Sequence, residues 1–502
     1  MDQSPAVGFE ALSSFQPSPA VGACCLALSS LLGRKVSFPH TKPYIDSMNS
    51  YFSQQNAALR PLCVVSPTDA DDVSTTIISI AQTSSLLSIT DKSQCHFAIR
   101  SGGHTSLISE ASNIQNGITI DLSGLNTFRL SDDQKTASVG VGATWGEVYA
   151  YLDSLNLSVA GGRAAQVGVG GLTLGGGISY HSPRYGWTCD TVSEFEIVLP
   201  NGTIVHATEE EHPDLTMALR GGSANFGIVT EVKLRTFKQG HVWGGHVYYP
   251  LETINDQLRA FESFNTARGY DEYASLIGSF GYASGQGAAL VNSIVYTREE
   301  EYPDVFAKIF EMPSAYSTMR VASMHNISTE QGSFQPNGNR QLNVVITHGS
   351  TVDMLNATYL RWKSSLPEIE DVRGIVWSVS LEPLPPAIYA RAPTKNALGL
   401  SNTTGSQVVT LLSATWEYET DDERIYNTAR ALFEGIEEDA RRLNSYESFL
   451  YLNYAADWQD PIASYGEKSI EMLRRVSRDV DPDGLFRKGM PGGFKIPPEH
   501  HR

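Results

Sequence analysis

Cysteine is scarce in this sequence, and none of it is spaced to bind zinc. The 502 residues contain five cysteines, which are too few and too scattered for a disulfide scaffold. No C-x-x-C pair occurs, so the cysteines do not indicate a metal site. In an oxidising compartment Cys63 can pair with either Cys24 or Cys25, and spacing alone leaves both pairings open.

Basic residues are also in deficit. The chain carries 37 Lys and Arg against 55 Asp and Glu, for a formal net charge of −18. A surface of this sign repels phosphate backbones and anionic lipids, so we expect neither nucleic acid nor a membrane as a partner. Hydrophobic residues make up 41% of the chain, which fits a folded protein of two or three units.

A convincing targeting segment is missing from the sequence. The apolar stretch Ala20–Leu32 is shorter than the roughly 20 residues that span a bilayer. It also lacks a preceding basic segment, so it is a weak signal-peptide candidate. Five N-x-S/T sequons tilt only slightly toward secretion, and we expect an intracellular protein. The sequons begin at Asn156, Asn201, Asn326, Asn356 and Asn402.

The dinucleotide fingerprint of nicotinamide enzymes is absent as well. From Gly168, the pattern G-x-G-x-x-G requires glycine at the position of Thr173. From Gly140, it requires glycine at the position of Trp145. Both fail, which argues against a nicotinamide-binding Rossmann unit.

The hydrophobic pattern predicts an α+β chain. Up to about Phe237, short strands alternate with helices. From about Gly240, longer strands with helices between them predict an antiparallel sheet covered by helices on one face. The predicted strands are Leu62–Ser66, Phe97–Arg100, Gly117–Leu122, Ala137–Val141, Phe195–Leu199, Thr203–Ala207, His241–Tyr249, Gly287–Tyr296, Leu342–His348, Gly374–Leu381 and Gln407–Tyr418. The predicted helices are Ala70–Thr83, Thr144–Leu155, Asp256–Arg268, Glu423–Leu443 and Ser469–Val480.

The first candidate functional segment is Arg100–Ser106, with the sequence RSGGHTS. Two adjacent glycines after an apolar run can form a tight loop whose N–H groups face an anion such as a pyrophosphate. Arg100 can add a guanidinium to such a site. A plain turn with a surface histidine at His104 explains the pattern equally well.

Glycine is concentrated in a second segment, Val167–Ile178 (VGVGGLTLGGGI). Each glycine costs up to about 1 kcal/mol in a helix, so we expect neither a good helix nor a central strand. Close approach of the backbone to a large ligand explains these glycines. Leu219–Val229 is a further glycine-punctuated turn that leads into a strand.

Near the C-terminus lies the motif Tyr451–Tyr454, Y-L-N-Y. At strand spacing Tyr451 and Asn453 share one face. A phenol and an amide on one face can act on a bound ring, and they are equally compatible with ordinary aromatics at a strand edge.

In this order and spacing, these four segments resemble the FAD-linked oxidases of the vanillyl-alcohol oxidase type, closest to the berberine-bridge-enzyme-like branch with its fungal members. The resemblance runs from about Cys24 to Lys495. It implies a two-part FAD-binding domain of the PCMH type, made of residues 45–238 and 446–502. An N-terminal segment, 1–44, precedes it, and a substrate domain, 239–445, lies between its two parts.

Carried over by position, the resemblance implies one covalent bond between the FAD and His104. Bicovalent relatives carry a cysteine where this chain has Ala164. Tyr451 matches the tyrosine that acts as catalytic base in several members. The implied cofactor-binding residues are Arg100, Ser101, Gly102, Gly103, His104, Thr105, Ser106, Val167, Gly168, Gly171, Leu172, Gly175, Gly176, Gly177, Ile228 and Asn453.

Alkaloid-forming plant members also place a carboxylate base on a strand of the substrate domain. The comparable position here lies near Leu412, in the apolar run Val408–Leu412, so this base is expected to be absent. Other residues of the substrate domain that can line a pocket are expected to be structural. They are Trp377, Glu382, Trp416 and Glu417.

The resemblance implies an oxidase that moves a hydride from a small alcohol, phenol, amine or polyketide-type compound to flavin N5, and then to dioxygen. A role in fungal secondary metabolism follows from the same likeness, with a monomer or a homodimer as the expected state. The alternatives are a cyclase on the same scaffold, an oligosaccharide oxidase and a flavin-free binding protein.

Overall fold

The computed structural model describes residues 19–88, 95–391 and 395–499. Within these residues the first part of the chain forms two larger sheets and a two-stranded one, which joins Leu157–Ser158 to Phe237–Lys238. A four-stranded sheet has the order Val36–Ser37, Cys63–Val65, Ile118–Asp121 and Phe97–Arg100. A five-stranded sheet has the order Phe128–Leu130, Thr136–Gly140, Ile228–Arg235, Val192–Val198 and Ile204–Ala207.

The two sheets differ in the direction of their strands. In the smaller sheet, Cys63–Val65 and Phe97–Arg100 both run parallel to Ile118–Asp121. Parallel neighbours require a crossover, which the helix Ala70–Ser88 provides. The five-stranded sheet is antiparallel throughout.

The middle of the chain forms a nine-stranded antiparallel sheet. Its helices cover one face, which is rich in valine, leucine and tryptophan. In order across the sheet, the strands are Tyr316–Ser317, Val242–Tyr249, Gly287–Tyr296, Ala274–Ala283, Val376–Leu384, Gln407–Trp416, Arg340–Gly349 and Tyr446–Glu447, with Arg320–Ala322 beside Val242–Tyr249. The longer helices of the described chain are Pro19–Leu32, Ala70–Ser88, Trp145–Asp153, Ile254–Asn265, Met324–Gly332, Val352–Ser365, Asp422–Arg442 and Glu467–Val480.

The apolar interior divides into two main cores. One core collects side chains from the first two sheets together with Phe449, Leu473 and Phe486 of the C-terminal segment. The other core lies between the large sheet and its helices. The predicted fold class is thereby confirmed, because the chain returns after the large sheet to the core that it began. The residue boundaries of the domains stay a prediction.

Four of the five cysteines are paired, which corrects the expectation that the cysteines hold no disulfide framework. Cys25 bonds to Cys63, one of the two pairings that spacing left open. Cys24 bonds to Cys95, a pairing that spacing did not indicate. Both bonds tie the helix Pro19–Leu32 to the first sheet, one at the strand Cys63–Val65 and one just before the strand Phe97–Arg100.

The apolar stretch Ala20–Leu32 is therefore part of the folded domain. Its residues form a helix that packs against Ala70–Ser88, with Leu28 fully buried. No helix among the described residues is long and apolar enough to cross a membrane.

Candidate functional site

The two glycine loops lie against each other, backbone to backbone. A Cβ atom added to Gly102 would stand 2.7 Å from the Cα of Gly168. Such an approach is possible only where both residues lack a side chain. Residues 100–106 and 167–178, which are separate in the sequence, thus form one surface.

Ser101 fastens the two loops to the five-stranded sheet. Its hydroxyl donates to the carbonyl of Val141 at 2.6 Å and accepts from the N–H of Gly170 at 3.2 Å. The N–H of Val141 in turn donates to the carbonyl of Thr230. Through this chain of bonds the loops are held beside the strand that begins at Ile228.

Arg100 has a supporting role that its position did not suggest. Its guanidinium donates to the carbonyl of Ser47 and to the hydroxyl of Ser50, each at 2.7 Å. It also pairs with Asp121 and lies 4.0 Å from the centre of the Tyr51 ring. These partners occupy both terminal nitrogens of the guanidinium, whereas its Nε is buried without a partner. Arg100 therefore supports the loop, and its contact with a phosphate stays a prediction.

His104 lies at the tip of the first loop, with its ring stacked on Phe52 at a centroid distance of 3.8 Å. Its Nε2 is buried and has no hydrogen-bond partner. Burial lowers the pKa of the imidazole to about 4, so the ring is neutral at physiological pH. A neutral imidazole has a nucleophilic lone pair. The buried Nε2 also argues against the alternative of a surface histidine in a plain turn.

The second loop contains a short helix, Val169–Leu174, where we expected none. Gly170 and Gly171 are tolerated there because tertiary packing overrides helix propensity. Gly171 faces open space, with no heavy atom within 4 Å of an added Cβ. Gly171 is exposed, so a ligand can approach its backbone without meeting a side chain at this position.

The glycines after this helix are required by their surroundings. Gly176 and Gly177 have φ values of +111° and +87°, which other residues rarely adopt. A Cβ on Gly175 would collide with the side-chain amide of Asn453. The glycine run therefore lets the C-terminal motif reach the second loop.

Tyr451 and Asn453 meet at this point, although in a different conformation from the predicted strand. Tyr451 caps a 3-10 turn at Leu452–Tyr454. Asn453 Nδ2 donates to the Tyr451 oxygen at 2.9 Å and to the carbonyl of Leu172 at 3.0 Å. The N–H of Ile178 donates to the same phenolic oxygen at 3.1 Å.

Burial raises the pKa of Tyr451, and the hydrogen bond from Asn453 opposes this effect. In both hydrogen bonds the phenolic oxygen is the acceptor, so its hydrogen is available to a further group. At neutral pH Tyr451 is a protonated phenol that the backbone and Asn453 hold in one orientation.

The remaining predicted residues lie at the edges of this surface. The hydroxyl of Ser106 accepts from the N–H of Asn343, a residue of the large sheet. The hydroxyl of Thr105 accepts from the N–H of Leu107. The carbonyl of Val167 accepts from the N–H of Trp145. Ile228 is buried at the start of its strand.

Sequence reasoning missed a buried polar cluster next to Tyr451. Arg163 Nη2 donates to Glu382 at 2.7 Å and to the Tyr454 oxygen at 2.6 Å. The Tyr454 hydroxyl donates to the other oxygen of Glu382 at 3.2 Å. In the sequence, only the final tyrosine of the Y-L-N-Y motif and the pocket candidate Glu382 pointed to this cluster. Glu382 is a buried residue, as expected, and its pairing with Arg163 was not anticipated.

Glu382 lies on the strand Val376–Leu384, which is paired with the strand that contains the apolar run Val408–Leu412. Leu412 lies in the core beneath the helices, so it faces away from the first domain. Glu382 pairs in register with Val409, which belongs to the other core. Paired residues share a face of a sheet, so Glu382 points toward the glycine loops. Of the other candidates, Trp377 and Trp416 are core residues and Glu417 pairs with Arg373.

The residues present fit an FAD. The surface combines a neutral imidazole whose buried Nε2 has no partner, exposed backbone at Gly171 and the close approach of Gly102 to Gly168. A planar, polar ring system needs these features, since glycine allows close approach and a free imidazole nitrogen allows a covalent bond.

The contrast between Gly168 and Gly171 is testable. Gly168→Ala forces a Cβ to within 2.7 Å of the Cα of Gly102, and overpacking of this kind destabilises by about 1–3 kcal/mol. Gly171→Ala meets open space and should leave the melting temperature unchanged or slightly higher, because alanine is the better helix former. Thermal unfolding of both variants measures the difference, and FAD content should fall in both. Equal melting temperatures would contradict the loop contact.

Comparison with known proteins finds an FAD-binding family and relatives that match nearly the whole chain. Residues 61–208 match the family model described as an FAD binding domain. The FAD-dependent monooxygenase sdcF of Emericella nidulans is 35% identical over 481 residues, covering 94% of this chain and 98% of that protein. Oligopeptidase PhomG' of Diaporthe leptostromiformis is 42% identical over 474 residues, covering 93% of this chain. The chain spans only 37% of the length of that relative.

Solved structures show the same fold. The 6-hydroxy-D-nicotine oxidase of Arthrobacter nicotinovorans superimposes with a TM-score of 0.76 at 18% identity, covering 92% of this chain and 98% of that one. A berberine bridge enzyme variant in complex with (S)-reticuline superimposes with a TM-score of 0.75 at 17% identity, covering 96% and 100%.

Proposed function

The chain belongs to the FAD-dependent oxidoreductases of the berberine-bridge-enzyme-like family, and on this premise we propose that it is an oxidase whose FAD is bound covalently to His104. The cofactor and the class of enzyme follow from the family. The covalent bond, the use of dioxygen and the nature of the substrate are the proposal. The substrate is a small molecule with an oxidisable hydroxyl or amine, within fungal secondary metabolism.

The observation that carries the proposal is the state of His104. Its Nε2 is buried without a partner, and its pKa of about 4 keeps the lone pair free at neutral pH. Such a nitrogen is suited to attack an electrophilic carbon of a bound ring. Ala164 offers no nucleophile, which supports one covalent bond rather than two.

The remaining contacts with the cofactor would come from backbone. Gly102, Gly103 and Gly168 provide closely spaced peptide groups for the diphosphate, and Gly171 leaves room for the ring. Asn453 is held beside the second loop by its bond to Leu172. Thr105, Ser106, Val167, Leu172, Gly175, Gly176, Gly177 and Ile228 complete the proposed set.

When bound, FAD supplies the acceptor for two electrons from the substrate. The protein must take up the proton that the substrate hydroxyl loses in the same oxidation. The proposed acceptor is the phenolate form of Tyr451, since its oxygen is fixed by two donors and lies beside the second loop. A phenol needs help from its surroundings to act as a base near neutral pH.

The test uses the purified holoenzyme and a panel of a benzylic alcohol, a hydroquinone, a secondary amine and an oligosaccharide. We expect one class to bleach the visible flavin absorption without oxygen, and to yield hydrogen peroxide stoichiometrically in air. Formation of a ring-closed product without oxygen uptake would instead identify a cyclase. A colourless protein that takes up no FAD would contradict the proposal.

A second candidate, monooxygenation, is favoured by the relative from Emericella nidulans, which is named an FAD-dependent monooxygenase. Isotopically heavy dioxygen separates the two reactions. An oxidase places the label in hydrogen peroxide alone, whereas a monooxygenase places one labelled atom in the organic product.

A further inference from the structure

Three parts of the chain meet in one buried ion-pair cluster beside Tyr451. Arg163 comes from the first half of the chain, Glu382 from the large sheet and Tyr454 from the C-terminal motif. Arg163 and Glu382 are only 8% and 3% exposed. The cluster is complete only when the large sheet is folded against the glycine loops.

Stability alone is a weak explanation for this cluster. Moving a guanidinium and a carboxylate out of water is expensive, and their mutual attraction does little more than offset that cost. An apolar pair of similar size would hold the same three segments together at least as well. The charges therefore point to a task that apolar side chains cannot perform.

The cluster lies within electrostatic reach of Tyr451. The rings of Tyr451 and Tyr454 pack edge to face with centroids 4.7 Å apart, and the Tyr454 oxygen is bonded to both charged groups. Arg163 lowers the pKa of Tyr451 and Glu382 raises it, while burial has the largest effect. A cation and an anion thus act on one phenol in opposite directions.

The other groups around Tyr451 are uncharged. Asn453 and the N–H of Ile178 are neutral donors to its oxygen. Tyr465, on a neighbouring turn, and Tyr180, beside Arg163, are phenols whose pKa values burial raises. Arg163 and Glu382 are the two charged side chains among the groups that act most on Tyr451.

We propose that Arg163 and Glu382 are positioning residues that set the proton affinity of Tyr451. Arg163 favours the phenolate form of Tyr451. Glu382 holds the guanidinium of Arg163 against Tyr454, and its negative charge opposes the effect of Arg163 on Tyr451. No bond forms or breaks in the pair itself, and the proton that Tyr451 exchanges is the one the substrate loses. This inference rests on the proposed role of Tyr451 as proton acceptor.

The experiment titrates Tyr451 directly, without any substrate. Tyrosinate absorption of the holoenzyme is recorded against pH for the parent, Glu382→Gln and Arg163→Met. Each curve is corrected by subtracting the same protein carrying Tyr451→Phe, so that only Tyr451 remains. Glu382→Gln should lower the midpoint by about one pH unit, since a nearby anion is removed, and Arg163→Met should raise it.

Glu330→Gln is the matched control. Glu330 is also a partly buried carboxylate, but its partners are His246, Thr318 and Arg320, so its removal should leave the Tyr451 titration unchanged. Arg163→Lys keeps the positive charge, so Tyr451 should titrate in this variant at nearly the same pH as in the parent. This variant is used if Arg163→Met does not fold. A purely structural pair would not shift the midpoint in opposite directions.

The proposal is overturned if Glu382→Gln titrates at the same pH as the parent, or if Tyr451 titrates in neither protein below the pH of unfolding. Failure of the proposed oxidase function would show itself separately, because the substrate panel and the titration share no reagent. With a compound that bleaches the flavin, the pH profile of reduction should shift in the same order as the titrations.

Discussion

Replacing His104 with alanine should yield a folded, FAD-binding protein that loses all of its flavin on acid precipitation. The Nε2 of His104 makes no hydrogen bond, so replacing the side chain removes only its contact with the backbone and the stacking on Phe52. The second attachment residue of bicovalent relatives is a cysteine, and this chain has Ala164 at that position. Ala164 cannot replace His104 as the nucleophile that forms the covalent bond. The parent protein should stay yellow after the same treatment.

Mass spectrometry of the digested parent provides the decisive measurement. The peptide that contains His104 should carry the mass of one FAD, and the variant should carry none. His181→Ala is the matched control, because His181 is also buried with an unpartnered Nε2 and a pKa lowered to about 3. An unmodified His104 peptide in a yellow parent would refute the linkage.

Replacing Tyr451 with phenylalanine should slow substrate-dependent flavin reduction by roughly 10²–10⁴-fold, the usual contribution of a general base. The lost oxygen also leaves the N–H of Ile178 and one donor of Asn453 unpaired. Each unpaired buried donor costs about 1–3 kcal/mol, so the variant should melt at a lower temperature. FAD should be retained, because His104 is untouched.

The pH dependence separates the chemical effect from the structural one. Burial raises the pKa of Tyr451, so only a small fraction is phenolate at neutral pH. That fraction, and with it the parent's rate, should rise about tenfold per pH unit below the pKa, whereas Tyr451→Phe should give a flat profile.

Tyr44→Phe is the control for loss of a buried phenol. Tyr44 donates to the carbonyl of Pro61 at 2.9 Å and belongs to a separate small cluster with Met48 and Tyr51. A parent-like rate in Tyr451→Phe, or an equal loss in Tyr44→Phe, would remove Tyr451 from the chemistry.

Local pattern was sufficient for most strands and helices. Gly287–Tyr296 begins and ends where the alternation predicted. The helix Trp145–Asp153 begins at Thr144, whose capping box with Glu147 is a short-range signal. The strand Ala274–Ala283 and the helices Met324–Gly332 and Val352–Ser365 were missed, since their glycine- and serine-rich or mixed sequences carry weak periodicity.

The motif at Tyr451 shows where local pattern stops. Y-L-N-Y was selected as a candidate functional segment, and its alternation suggested a strand. The chain instead makes a 3-10 turn, because Asn453 bonds to Leu172 and fits only where Gly175 has no side chain. The partner that decides the conformation lies almost 300 residues away in the chain.

By itself, the sequence determined in which segments the backbone approaches a ligand or another segment closely. Adjacent glycines have this effect locally, so the pattern is visible in the sequence. It also determined that His104 and Tyr451 lie in such segments. Only the tertiary structure decided that Arg100 supports its loop, that Cys24 pairs with Cys95 and that Glu382 meets Arg163. Each of these outcomes depends on a partner from a distant segment, and spacing along a chain carries no record of which distant side chains the fold will bring together.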